Sequence, residues 1–158
     1  MKHAPELEQG VVDLPEPHVL EVEPLVAMAR DALPLQLLAH RHRVLRAVRA
    51  APRGTDEVRW DPATGVLELG EPVDIVVHLA GEALAEGRLA GDHLRRVRQS
   101  RIDATVALVR TLAAQASPPA AFVCASAVGY YGHRPGEVLD EDSAVGVGLL
   151  AELCQAWE

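Results

Sequence analysis

Val73-Asp74-Ile75-Val76-Val77-His78-Leu79-Ala80-Gly81-Glu82 and Ala120-Ala121-Phe122-Val123-Cys124-Ala125-Ser126-Ala127-Val128-Gly129-Tyr130-Tyr131-Gly132 are the two stretches that decide the fold. Each is short, continuously apolar, rich in β-branched residues and closed by small ones. Strands of an antiparallel sheet with one wet face alternate apolar and polar residues, whereas parallel strands covered on both faces read as unbroken apolar runs. Both stretches are therefore expected as buried parallel strands. In an open parallel sheet, ligands sit in the crevice beyond the carboxyl ends of the strands. Ala80-Gly81-Glu82 and the Ser126 to Gly132 turn stand where chemistry is expected.

Between the two runs, residues 92–114 read as one helix. Leu94, Val97, Arg101, Thr105, Leu108 and Leu112 recur at three/four spacing, with Arg95, Arg96, Arg98 and Arg110 elsewhere on the wheel. Ser117-Pro118-Pro119 stops it. Upstream, residues 43–49 alternate basic and apolar side chains as a further strand. Residues 57–61 make another, and Asp61-Pro62-Ala63-Thr64-Gly65 is a turn sequence. Residues 18–22 suit a short strand, and residues 25–40 look helical, with Pro34 as a kink or late start. Downstream, an acidic loop over residues 136–143 is expected to lead through Asp142 or Ser143 into a last helix. The pattern is α/β: a mostly parallel sheet of four or five strands with helices on both faces. Residues 1–18, with three prolines among acidic residues, read as an irregular arm.

At 158 residues the chain has room for one domain with a real core. A formal charge of −8 argues against general binding to nucleic acid or membrane surfaces, and the Arg95-Arg96-Val97-Arg98 cluster reads as a solvated face. Cys124 and Cys154 lack metal-type spacing and are expected as reduced thiols, as in a cytoplasmic protein. No stretch has the roughly 18 apolar residues of a membrane span, and the amino terminus has no apolar signal core.

The series His-Leu-Ala-Gly-Glu (residues 78–82), Ser-Arg-Ile-Asp-Ala-Thr (100–105), Ser-Ala-Val-Gly-Tyr-Tyr-Gly (126–132) and Leu-Cys-Gln-Ala-Trp-Glu (153–158) resembles the extended short-chain dehydrogenase/reductase superfamily. More narrowly, it resembles the NAD-dependent epimerase/dehydratases known as nucleoside-diphosphate-sugar epimerases. The resemblance runs from about Arg43 to Glu158. It implies a truncated Rossmann-like, doubly wound domain over residues 19–158 that binds NADP or NAD and acts on a nucleotide sugar or similar small molecule. Family members continue for about as many residues again, so an unfinished sheet edge is expected to favour a homo-oligomer. The runner-up reading is a catalytically silent scaffold or interaction module.

Residue by residue, the resemblance makes Arg49 and Arg53 candidates for the 2′-phosphate of NADP, because guanidinium groups grip phosphate in pairs of bonds. The residues alone read equally as solvated arginines of an edge strand. Asp61 would lie at the adenine edge, or simply cap its turn. Leu79, Ala80 and Gly81 would back a ribose, or form a tight strand-to-helix turn. Glu82 and Arg88 would touch substrate, or pair with each other. Ser126 and one of Tyr130 and Tyr131 would be the catalytic polar groups. His78 reads as a packed, hydrogen-bonded residue rather than a base. No metal is implied. Two departures stand out. Aligning residues 29–33 to the family's first helix puts Glu23, Val26 and Ala29 where three glycines cradle the pyrophosphate. Setting register on Trp157-Glu158 puts Leu150 and Cys154 where a Tyr-x-x-x-Lys pair would shuttle a proton.

Overall fold

The computed structural model describes residues 18–22, 42–85 and 87–158. The arm over residues 1–17 and the segment 23–41, with Glu23, Val26 and Ala29, lie outside the described residues. Among the described residues, six strands form one sheet: β1 (His18–Val22), β2 (Arg43–Val48), β3 (Glu57–Asp61), β4 (Val66–Leu67), β5 (Ile75–His78) and β6 (Ala121–Cys124), in the order β4-β3-β2-β1-β5-β6. All neighbours pair in parallel except the two-residue β4, which folds back antiparallel on β3 after the Asp61 turn. The chain thus runs outward from β1 through β2 and β3, then returns to the other side of β1 for β5 and β6. The strand order reverses between β1 and β5, the topological switch point of a doubly wound sheet.

On β2, Val44, Leu45, Ala47 and Val48 are all buried although successive side chains point to opposite faces, so both faces are covered there. The main apolar cluster joins Leu45, Ala47, Val58, Trp60 and Val76 of the sheet, and Val73 just before β5, to Leu108 and Leu112 of the helix before β6. On β6 the expectation of two-sided burial fails. Ala121, Phe122 and Val123 are exposed, Val123 by 51%. The reason is position: β6 is the last strand, and among the described residues nothing pairs with its outer edge.

The helix expected over residues 92–114 is α1 (Gly91–Arg98) and α2 (Ala104–Ala113), joined without a break by a five-residue π-helical turn, Gln99–Asp103. The buried stripe is His93, Val97, Arg101, Thr105, Leu108 and Leu112; Leu94, expected to begin it, is only half-buried, and His93 takes its place. A 3₁₀ turn (Val128–Tyr131) follows β6. The last helix, α3 (Leu149–Trp157), starts later than expected. Ser143 instead closes a local turn with Asp140, and Gly148, at φ 106°, precedes the first helical residue.

Candidate functional site

The loop after β5 is fixed from the π-turn. Ser100 Oγ accepts the backbone N–H of Glu82 at 2.8 Å, and Arg101 Nη1 donates to the Glu82 carbonyl at 2.7 Å. Both backbone polar groups of one residue at the carboxyl rim are thereby satisfied by consecutive side chains. Gly81 is needed here for a reason other than backbone freedom: a Cβ would stand 3.0 Å from Arg101 Cζ. Ala80 and Gly81 are buried.

The Glu82 carboxylate points to Arg96, whose Nε lies 3.2 Å from Oε1, rather than to Arg88, the partner in one of the two readings of these residues. The reason is the helical frame: Arg96, one turn into α1, faces the rim, whereas Arg88 is exposed on the connecting loop. Glu82, Arg96, Gln99, Ser100, Asp103 and Ala104 form one wall of a cleft of about 450 Å³, and Arg49, Pro62 and Ala63 form the other. Arg49 follows β2, Pro62 and Ala63 follow β3, and Glu82 follows β5, so the cleft lies at the carboxyl ends of these strands.

Arg49 is exposed at this cleft and Arg53 is not among the residues lining it. Arg53 offers its backbone N–H to Glu57 at 2.7 Å. Asp61 accepts the Ala63 N–H at 3.0 Å, and that bond leads the effects holding its carboxyl below the usual range, so its carboxylate serves the turn. Arg96 was read as part of a solvated face; its one sequence signal was its place in the first turns of the helix that follows the switch-point strand.

Ser126, Tyr130 and Tyr131 meet elsewhere, in a depression of about 510 Å³ with Glu141 and Glu158. The Ser126 hydroxyl donates to the Glu158 carboxylate. The tyrosine rings meet edge to face, 5.3 Å apart. Leu150 Cβ lies 3.2 Å from where a Gly129 Cβ would be. Cys154 is buried, its thiol 3.7 Å from the Ala127 carbonyl and pushed up by that burial. These two α3 positions put no acid–base group beside Ser126. Arg49 and Ser126 follow strands three spacings apart, about 14 Å. Among the described residues they border two depressions rather than one.

Two guanidinium groups suit a phosphorylated nucleotide at the first cleft: the exposed Arg49, and Arg96 of α1, which is paired with Glu82. Glu23, Val26 and Ala29, the residues aligned with the pyrophosphate-cradling glycines, lie outside the described residues. Among the described residues, no group of three or more His, Cys, Asp or Glu could hold a metal ion, and no helix is long and apolar enough to cross a membrane.

No family model matches the chain. An epimerase family protein of Mycobacterium leprae is 40% identical over 133 residues, which are 83% of this chain and 43% of that protein. The human epimerase family protein SDR39U1 (isoform 2), in a crystal structure with NADPH, superimposes with a TM-score of 0.75 at 28% identity, over 89% of this chain and 47% of that one. The nucleoside-diphosphate sugar epimerase of Corynebacterium glutamicum gives a TM-score of 0.74 at 32% identity, over 90% of this chain and 29% of that one. The chain belongs to the epimerase family of short-chain dehydrogenases/reductases. Its parallel sheet with reversed strand order is the Rossmann-like fold of those relatives. The chain spans about two-fifths of the length of the curated relatives it matches.

Proposed function

We propose that this chain forms the dinucleotide-binding part of an NAD(P)-dependent, epimerase/dehydratase-like protein acting on a nucleotide sugar or similar polyol, with NADP as the preferred cofactor. The observation that carries the reading is the placing of Arg49 at the end of β2, in one cleft with Glu82 at the end of β5. At the end of β2 an acidic residue selects NAD through the ribose 2′-hydroxyl, whereas an arginine accommodates a 2′-phosphate. Dinucleotides lie across the reversal of strand order, which puts the adenosine half beside Arg49 and the nicotinamide half toward β6 and Ser126. The human relative's structure with NADPH supports NADP as the cofactor.

When bound, the nicotinamide supplies the hydride chemistry. Ser126 and Tyr131 would orient a substrate hydroxyl or carbonyl there, with Tyr130 packed on its neighbour. With Leu150 and Cys154 at the positions of the usual tyrosine–lysine pair, cofactor binding is the step this site supports best. Titration of the protein with NADPH and NADH to millimolar concentration, followed by nicotinamide fluorescence, tests it; no response to either ends the enzyme reading.

A second reading, as a scaffold that associates with a further copy, is favoured by the outer edge of β6, unpaired among the described residues, with exposed Phe122 and Val123. Light scattering on the eluting protein separates the two, since a clean monomer removes the support for self-association. With two free thiols, the cytoplasm is the compartment we assign.

A further inference from the structure

Arg101 is 9% exposed and sits in the π-turn, yet it lines neither depression. On one side it donates to the Glu82 carbonyl at 2.7 Å and packs under Gly81. On the other, its Cζ lies 5.1 Å from the centroid of the Trp157 ring, a cation–π contact. Trp157 is followed by Glu158, whose carboxylate accepts the Ser126 hydroxyl. Three contacts therefore run from the Glu82 peptide, which borders the Arg49 cleft, to Ser126, which borders the other.

Burial of a guanidinium costs free energy, and it pulls the Arg101 pKa below its usual value. A methionine would fill similar space without that cost. What methionine lacks is a flat fork able to donate along its edge and stack on its face at once. The π-turn makes this possible. It widens the helix by one residue, so that Ser100 and Arg101 reach the backbone of the same residue from consecutive positions.

We infer that Arg101 is a positioning residue that couples the two depressions, holding the Glu82 loop and the Trp157–Glu158 end of α3 in one arrangement, so that filling the first cleft is felt beside Ser126. What fills that cleft rests on the function proposed above; the linkage itself does not. The chain has two tryptophans, so its ¹H–¹⁵N spectrum holds two indole signals, and Trp157→Phe identifies one of them.

NADPH is expected to shift the Trp157 indole signal of the wild-type protein. Arg101→Met should bind NADPH about tenfold more weakly and show no such shift. Arg101→Lys, which keeps the charge and loses the fork, should not restore it. A shift that persists in Arg101→Met, or full rescue by lysine, overturns the inference. Without ligand, Arg101→Lys should speed amide exchange at residues 80–83 and 154–158 together, by about tenfold. Faster exchange in only one segment, or in neither, also overturns it. A wild-type protein that takes up no NADPH defeats the cofactor reading alone, because the exchange experiment still decides the role of Arg101.

Discussion

His78 Nε2 and Thr105 Oγ1 face each other in the interior at 3.0 Å, tying the last residue of β5 to the first turn of α2. His78 is fully buried, and burial lowers its pKa from 6.5 to about 4. The folded protein thus holds the imidazole neutral while an unfolded chain would protonate it near pH 6.5. That neutral state contributes fully to stability above pH 6.5, and the contribution is lost as pH falls toward 4, by at most about 1.4 kcal/mol per pH unit. His78→Gln keeps a hydrogen-bonding group and removes the titration. Urea unfolding at pH 7.5 and pH 5 should show the wild type losing about 2 kcal/mol relative to this variant. Parallel pH dependence in the two proteins would contradict the assignment.

Gly81→Ala places a methyl 3.0 Å from the Arg101 guanidinium, which cannot swing away without releasing Glu82 or Trp157. A loss of about 1–3 kcal/mol is expected from overpacking, read as a lower urea midpoint with an unchanged slope. Gly70→Ala, with nothing within 4 Å of the new methyl, is the matched control and should shift the midpoint far less.

Leu108 is fully buried where α2 meets the sheet. Leu108→Ala should cost about 2–5 kcal/mol, the lost transfer free energy plus the cavity left beneath the helix. Val109→Ala, one position on and exposed, should change stability by less than about 0.5 kcal/mol. Thermal unfolding of the pair checks the helix's orientation.

The strands were legible because apolar, β-branched runs and their small closing residues say the same thing, as at Ile75–His78. The buried role of His78 and the stripe Val97, Arg101, Thr105, Leu108 and Leu112 were legible for the same reason of pattern. The π-turn was not anticipated, although the sequence holds a trace of it. His93, Val97, Arg101 and Thr105 step by four residues three times running. In a regular helix that drifts by about 40° per step, and one inserted residue cancels most of the drift. The exposure of β6 was not legible, because an apolar run reveals what a strand can bury but not whether a neighbour exists beyond it. The Glu82–Arg96 pair was missed for a related reason: a charge on a helix wheel shows its face only once the helix is docked. Asp61 read two ways, and its bond to Ala63 favours the turn.

Comparing NADPH with NADH at Arg49 tests the central claim most directly, the claim being that the Arg49–Glu82 cleft holds the phosphorylated adenosine end of a dinucleotide. Arg49→Ala should weaken NADPH binding by about 10- to 100-fold, the loss of a charge-assisted phosphate contact, and leave NADH binding unchanged. Arg53→Ala, outside the cleft, should alter neither. Equal losses for the two cofactors in Arg49→Ala, or wild-type protein that binds NADH and NADPH alike, would contradict the account.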